Sequence, residues 1–393
     1  MNNNSNTKRD SLESLLNSEH IVEIEKMAIG GDGIARISFQ EKSLVVFVPK
    51  SAPKDQLRIK IIAVEKNYLS GVISEVLTPG PHRREPPCSY ALRCGGCSWQ
   101  QISDEEQIHQ KELLLKELFQ KFIPNISYTL SPTVRSPHVF NYRNRIQLKR
   151  HKKSLGYFAD KSHDLVDIDS CLIADKRISD QIPQLKATLK ESETITKFEL
   201  RLTQDLAFEH HKIGEKGEGL AFSQVNSEMN ALLVGGALDL VLAANPKSLT
   251  ELYAGSGNFS FPLLQKLSNL VIESVELNPE LTSAAIKKLT AQNLQKRLLV
   301  FTTDCDSFVQ RRRLSSDFIL LDPPRQGATD VILNQITKTL PKNILYISCH
   351  PVSLARDLQK IRLDSLGYKV SHLQIYDMFP QTDHFETMIC LTR

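Results

Sequence analysis

Several things are scarce in this chain of 393 residues. It has one tryptophan and five methionines, and aromatic residues make up only 7% of it. No stretch reaches the ~18 consecutive apolar residues that a membrane-crossing helix requires, and no charged-then-apolar opening resembles an export signal. A cytoplasmic protein without a membrane is the expectation. Charge of one sign is not in excess either: 49 Lys and Arg against 45 Asp and Glu leave +4, too little to imply a polyanionic partner from the sum alone. Collagen-like or coiled-coil periodicity is missing, and 41% apolar with 24% charged residues excludes wholesale disorder. Seven cysteines, an odd number without an export signal, argue against a disulfide framework.

The length, set against ~150 residues per domain, predicts two to three domains. Residues 1–19 are rich in Asn and Ser and read as a mobile tail. Residues 20–79 carry five short alternating runs separated by turn signals such as Gly30-Gly31-Asp32-Gly33. That pattern predicts a small β-barrel of the oligonucleotide-binding type, with any other small β-domain as the alternative. Residues 80–218 form a mixed α/β middle region. It contains an amphipathic helix near 103–122, opened by Ser103 and Glu106 at capping-box spacing. Residues 219–393 alternate continuous apolar strands with helical segments, which implies a parallel sheet covered on both faces. The two closing strands have no helix between them and should pair antiparallel.

In open α/β sheets, ligands bind beyond the carboxyl ends of the strands. Here those ends supply Tyr253, Gly255, Gly257, Glu276, Asp304, Asp322 and Cys349. The segment Glu251-Leu-Tyr-Ala-Gly-Ser-Gly-Asn258 is a strand running into a glycine-rich turn. It lacks the third glycine of a pyrophosphate-binding fingerprint, while Glu276 can hold a ribose. S-adenosylmethionine, which has a ribose and no phosphate, fits better than a dinucleotide. Asp322-Pro-Pro-Arg325 forms a stiff loop, since two prolines fix φ. Adenine amino-methylating enzymes use a related loop ending in an aromatic residue, and arginine in that place disfavours an exocyclic amine. Cys349 lies between a strand and a helix, and a helix N-terminus should favour its thiolate. A thiolate beside a methyl donor suits the C5 of uracil, which becomes nucleophilic once C6 is attacked. A base must later remove the C5 proton, and Pro380-Gln-Thr-Asp-His-Phe-Glu386 offers Glu386 and His384.

From about His20 onward the chain resembles the uridine-C5 RNA methyltransferases that form 5-methyluridine, especially members with a TRAM barrel and a four-iron, four-sulfur cluster. Five motifs carry the resemblance: Phe222-Ser-Gln224, Glu251 to Phe259, Asp322 to Arg325, Ser348-Cys349-His-Pro-x-x-Leu-Ala-Arg-Asp357, and Pro380-x-Thr-x-His-x-Glu386. It implies a class I, Rossmann-like methyltransferase domain at the C-terminus, an α/β middle domain and an N-terminal OB-like TRAM barrel. It also implies Cys349 as nucleophile and Glu386 as base. Gln224, Tyr253, Asn258, Glu276, Asp304 and Asp322 would contact the donor or the target base. His350 and Phe385 depart from the usual residues of their motifs, and the barrel loop Lys50 to Asp55 lacks the usual Pro-Gly-acidic turn.

Three further cysteines crowd into Cys88-x5-Cys94-x2-Cys97, with Cys171 the fourth of the set. Four thiolates suit zinc or an iron–sulfur cluster, and chemistry alone favours zinc. The resemblance implies a [4Fe-4S] cluster with a structural role. Cys305 and Cys390 read as core residues. From Arg135 to Lys153 there are seven Lys and Arg and no acid, with Phe140, Tyr142 and Tyr157 nearby. Such a run reads as an RNA-binding face or as an ordinary solvated one. The partner implied is RNA, ribosomal first and transfer RNA second, and the protein is expected to be a monomer. Two rival classes are a nitrogen-methylating enzyme, which would leave Cys349 idle, and a non-catalytic iron–sulfur RNA-binding protein.

Overall fold

The computed structural model of the protein describes residues 12–192, 194–203, 205–213 and 224–393. Residues 1–11 of the expected tail, and Phe222 and Ser223 of the first motif, lie outside that range. The tail is shorter than expected, because Leu15 is buried in the core of the first sheet and Asn17 N–H donates to the Ile61 carbonyl.

The chain folds into two compact units. The first draws its described residues from Met1–Leu114, Val139–Glu215 and Phe379–Asp383, the second from Leu115–His138, Lys216–Met378 and His384–Arg393.

The first unit contains two sheets. Strands β1 (Glu19–Glu23), β2 (Lys26–Met27), β3 (Gly33–Phe39), β4 (Lys42–Val48), β5 (Gln56–Val64) and β6 (Leu69–Thr78) form the first, in the order β1-β5-β6-β4-β3-β2. Alternation governs it: Leu57, Ile59 and Ile61 of β5 are buried, while Gln56, Lys60 and Ile62 at alternate positions face solvent. Trp99 and Ile102 join that core. The Lys50–Asp55 loop is closed by a buried charge. Asp55 accepts from the backbone N–H groups of Ala52 (2.6 Å) and Gly80 (2.9 Å) and pairs with Arg83.

After β7 (Ser131–Val134), which belongs to the second unit, come β8 (Arg145–His151), β9 (Ser154–Phe158), β10 (Leu165–Asp167), β11 (Thr196–Leu202) and β12 (Phe208–Ile213). They form an antiparallel sheet in the order β10-β9-β8-β11-β12. Its buried face holds Ile146, Leu148, Leu155, Phe198 and Leu200 together with Cys94, Cys97 and Cys171.

The second unit is an eight-stranded sheet, β15-β14-β13-β16-β17-β19-β18-β7. Its strands are β13 (Ser248–Leu252), β14 (Val271–Glu276), β15 (Leu298–Thr302), β16 (Phe318–Leu321), β17 (Asn343–Ser348), β18 (Lys369–Tyr376) and β19 (Glu386–Thr392). Strands β13 to β17 run parallel, and β19 inserts antiparallel between β17 and β18, as the missing helix predicted. Every residue of β16 is buried, as expected of a strand covered on both faces. Strand order reverses between β13 and β16, which places the ligand crevice of such a sheet at their carboxyl ends.

The helix over Asp104–Phe122 forms as its periodicity predicts, but the capping box is half made. Glu106 N–H donates to Ser103 Oγ at 3.4 Å, whereas the Glu106 carboxylate turns to Gln110 and His82.

Candidate active site

Strand β13 ends in a backbone reversal. Tyr253 has φ +66°, a left-handed conformation that is rare for a bulky side chain. Gly255 and Gly257 follow at φ +58° and +87°. The two glycines answer different needs. A Cβ on Gly257 would stand 2.6 Å from the Phe261 ring, so packing forbids it, whereas one on Gly255 would meet open space. The turn therefore offers bare backbone to a ligand at Gly255. Glu276, at the end of β14, is locked beside it. Its Oε2 accepts from Gly255 N–H at 2.9 Å and its Oε1 from Asn278 N–H at 2.8 Å. Beneath the turn the buried Glu251 accepts from the Ser260 hydroxyl, and burial lifts its pKa to about 8.

Two expected donor contacts have other work in this fold. Asn258 exchanges paired amide hydrogen bonds with Asn230 at 2.9 and 3.0 Å, which ties the turn to the helix over Ser227–Ala244. Asp304 caps the helix over Cys305–Arg311 by accepting from Ser307 N–H at 2.8 Å, and that hydrogen bonding holds its carboxyl below the usual range. Gln224 lies half-buried, two residues before the Asn226 cap.

The reacting groups come together through strand register. Ser348 of β17 pairs with Thr387 of β19, so the next residues outward, Cys349 and Glu386, stand opposite each other. Asp322 closes β16 alongside. Glu386 is buried, and its Oε2 has no hydrogen-bond partner. Burial, then the charge of Asp322, pushes its pKa well up, while Arg325 opposes the shift. Burial also lifts Asp322 to about 7.

The thiol departs from expectation. Burial first, and then Glu386, pushes Cys349 up to about 12, again against Arg325. The helix over Pro351–Ile361 does not rescue it, because His350 occupies the cap and leaves Cys349 a residue outside the first turn. That capping explains the unusual His350. Its side chain accepts from Ser353 N–H, the service Asn or Asp would give. Phe385 is buried in the main core.

Arg325 is the site residue that the sequence reading left without a role. It is the cation that offsets Cys349 and Glu386, and its Nη2 lies 3.5 Å from His384 Nε2. The signal was present in its position at the end of the Pro-Pro loop. That loop is latched to the helix that follows the nucleophile. Ser353 Oγ donates to Arg325 O at 2.7 Å. Buried Asp357 accepts from Ala328 N–H (2.8 Å), Tyr346 Oη (2.7 Å) and Arg356 Nε (2.9 Å).

In the first unit, Cys88, Cys94, Cys97 and Cys171 line one pocket, with Tyr157 and Ile173 among its walls. Among the described residues no three His, Cys, Asp or Glu side chains are drawn into ligating distance. The donor chemistry still fits a thiolate-bound centre. Gly96 N–H donates to Cys94 Sγ at 3.3 Å, Arg143 lowers the pKa of both Cys97 and Cys171, and Lys50 Nζ clamps the carbonyls of Cys97 (2.7 Å) and Cys94 (3.2 Å). Burial first pushes the thiols of Cys94, Cys97 and Cys171 up, Cys97 to about 12, so a bound cation is what would ionise them. Cys305 and Cys390 are buried in the second unit, as expected.

The sequence profile of the tRNA (uracil-5-)-methyltransferase family matches residues 199–393, and that of the TRAM domain matches residues 13–73. An uncharacterised RNA methyltransferase of Bdellovibrio bacteriovorus is 40% identical, with 97% of each chain covered. The 23S rRNA (uracil(1939)-C(5))-methyltransferase RlmD of Shewanella baltica is 31% identical over 91% of this chain and 92% of its own. In fold, the tRNA (uracil-54, C5)-methyltransferase of Pyrococcus abyssi, solved with S-adenosyl-L-homocysteine, superposes with a TM-score of 0.72 at 20% identity, covering 95% of this chain and all of that one. With the crevice at the β13–β16 switch point and the TRAM sheet in place, the chain belongs to the S-adenosylmethionine-dependent uracil-C5 RNA methyltransferases.

Proposed function

We propose that this protein methylates C5 of one uridine in ribosomal RNA through a covalent adduct between Cys349 and C6, acting as a cytoplasmic monomer. The observation that carries the reading is the register of Ser348 with Thr387, which brings Cys349 beside Glu386, whose buried Oε2 has no protein partner.

Cys349 loses its proton to solvent, and its sulfur adds to C6. The electrons move onto O4, and C5 becomes the nucleophile. S-adenosylmethionine supplies the electrophilic methyl group. Glu386 then takes the C5 proton, the C5–C6 double bond re-forms, and the thiolate leaves. Arg325 offsets the negative charge that Cys349 must carry on entry and departure. Tyr253, Gly255, Asn258, Glu276, Asp304 and Gln224 form or brace the donor side of the crevice. Asp322, half-buried at the β16 end, faces the target base.

Cys88, Cys94, Cys97 and Cys171 would hold a [4Fe-4S] cluster that fastens the cysteine-rich loop to the end of β10. Ribosomal RNA ranks above transfer RNA because RlmD of Shewanella baltica, at 31% identity, is more similar to this chain than the transfer-RNA enzyme of Pyrococcus abyssi, at 20%. Nucleoside mass spectrometry of both RNA classes, from cells with and without the gene, tests the target. Loss of one 5-methyluridine from ribosomal RNA alone is expected, whereas loss from transfer RNA alone would reassign it.

A further inference from the structure

The solvent face of β8 and β11 carries a pairing that a sheet ordinarily avoids. Lys149 and Lys197 stand directly opposite each other on antiparallel neighbours. Like charges so placed destabilise a sheet. Neighbouring charges on the same face differ: Arg201 pairs with Glu209 at 2.9 Å, and Glu199 is buried, its Oε2 accepting from Gln147 at 2.9 Å while its Oε1 has no partner. Among the described residues neither Lys149 nor Lys197 has a carboxylate partner. Burial and the adjacent Lys197 ammonium both hold Lys149 below the usual lysine pKa, as befits a cation without a counter-ion.

Lys149 also lines an open groove of about 290 Å³ with Gln147, Phe158, Asp160 and Lys161. Lys161 is already engaged by Asp32, so it contributes little free charge. Lys149 Nζ lies 5.8 Å from the centroid of the Phe158 ring, and the His163 ring braces Phe158 edge-on at 5.5 Å. An aromatic plate beside an unneutralised cation pair matches the alternation of base and phosphate along an unpaired strand.

We propose that Lys149 and Lys197 together clamp a single phosphate of single-stranded RNA while the adjoining base stacks on Phe158. The proposal rests on RNA as the substrate and assigns part of its grip to the middle sheet. It also revises the basic run from Arg135 to Lys153. Arg150 is buried and donates to the carbonyls of Lys152 (3.2 Å) and Lys190, so it closes the fold and does not reach RNA.

The test is fluorescence anisotropy of a short labelled oligouridylate, measured over a salt series with the full-length protein. Lys149→Ala and Lys197→Ala should each weaken binding about fivefold. Because one phosphate is shared, either single variant should flatten the salt slope by less than about 0.7 and the double variant by about 0.7 in all, not twice that. A loss near 1.4 would mean two separate phosphates, and an unchanged slope would mean a solvated face; either overturns the clamp. Phe158→Leu should cost about tenfold on the single strand and leave affinity for a duplex unchanged; equal losses on both would remove the stacking role. Lys197→Met should melt no lower than the parent, since it relieves repulsion, so reduced binding cannot be blamed on unfolding. Formation of 5-methyluridine by the parent protein is read separately. Product with undiminished oligouridylate binding by the variants sinks the clamp alone, and absence of product from the parent sinks the proposed function alone.

Discussion

Arg325 Nη2 lies 3.5 Å from His384 Nε2, two residues before Glu386, and its charge opposes the upward shifts of both Cys349 and Glu386. One guanidinium thus offsets two acids, Cys349 and Glu386, both of which burial and the neighbouring Asp322 push towards the neutral form.

Removing that cation should raise the thiol pKa further, because the group whose charge it stabilises is the thiolate. For Arg325→Gln, the rise of kcat/KM with pH should move to more alkaline values. Turnover near neutrality should fall at least about tenfold, the equivalent of one pKa unit. The measurement is the pH dependence of single-turnover methylation. A profile that falls in amplitude without moving would deny Arg325 its electrostatic role.

The latch between the Pro-Pro loop and the nucleophile helix predicts a sensitive glycine. Gly327 has φ +84°, and a Cβ there would stand 2.3 Å from Asp357 Oδ2. Gly327→Ala should lower stability by about 1–3 kcal/mol, read by urea denaturation. Asp357→Asn, which weakens its charge-assisted bonds to Arg356, should lower kcat more than it raises KM for RNA. Wild-type stability in Gly327→Ala would show that the loop is free to shift.

The cysteine pocket predicts colour. Anaerobically purified protein should be brown with about four irons per chain. Ser at Cys88, Cys94, Cys97 or Cys171 should cost iron and stability, while Cys305→Ser should not. Stoichiometric zinc without iron would replace the cluster by a structural zinc site.

Much of this was legible in the sequence, because local pattern encodes it. The strand–helix alternation gave the parallel sheet, and the lack of a helix before Glu386 gave the antiparallel closure. What escaped depends on contacts between distant residues. No periodicity reveals that Arg150 turns inward to cap carbonyls or that Asp55 is buried against Arg83. The occupation of Asn258 by Asn230 was equally hidden, and β12 was missed because FEHHKI has only two apolar residues at its ends. The thiolate expectation failed for a related reason. It weighed the helix terminus, a local feature, without the burial that the strands around Cys349 impose.

The central claim is that Cys349 and Glu386 act on the same uridine at different steps, and denaturing gels with S-adenosylmethionine and RNA test it most directly. RNA carrying 5-fluorouridine at the target should trap the wild-type protein in a methylated covalent complex, since fluorine cannot leave as a cation. With ordinary uridine, Glu386→Gln should accumulate that complex, and Cys349→Ala should form neither complex nor product. Near-normal turnover by Cys349→Ala would contradict the account.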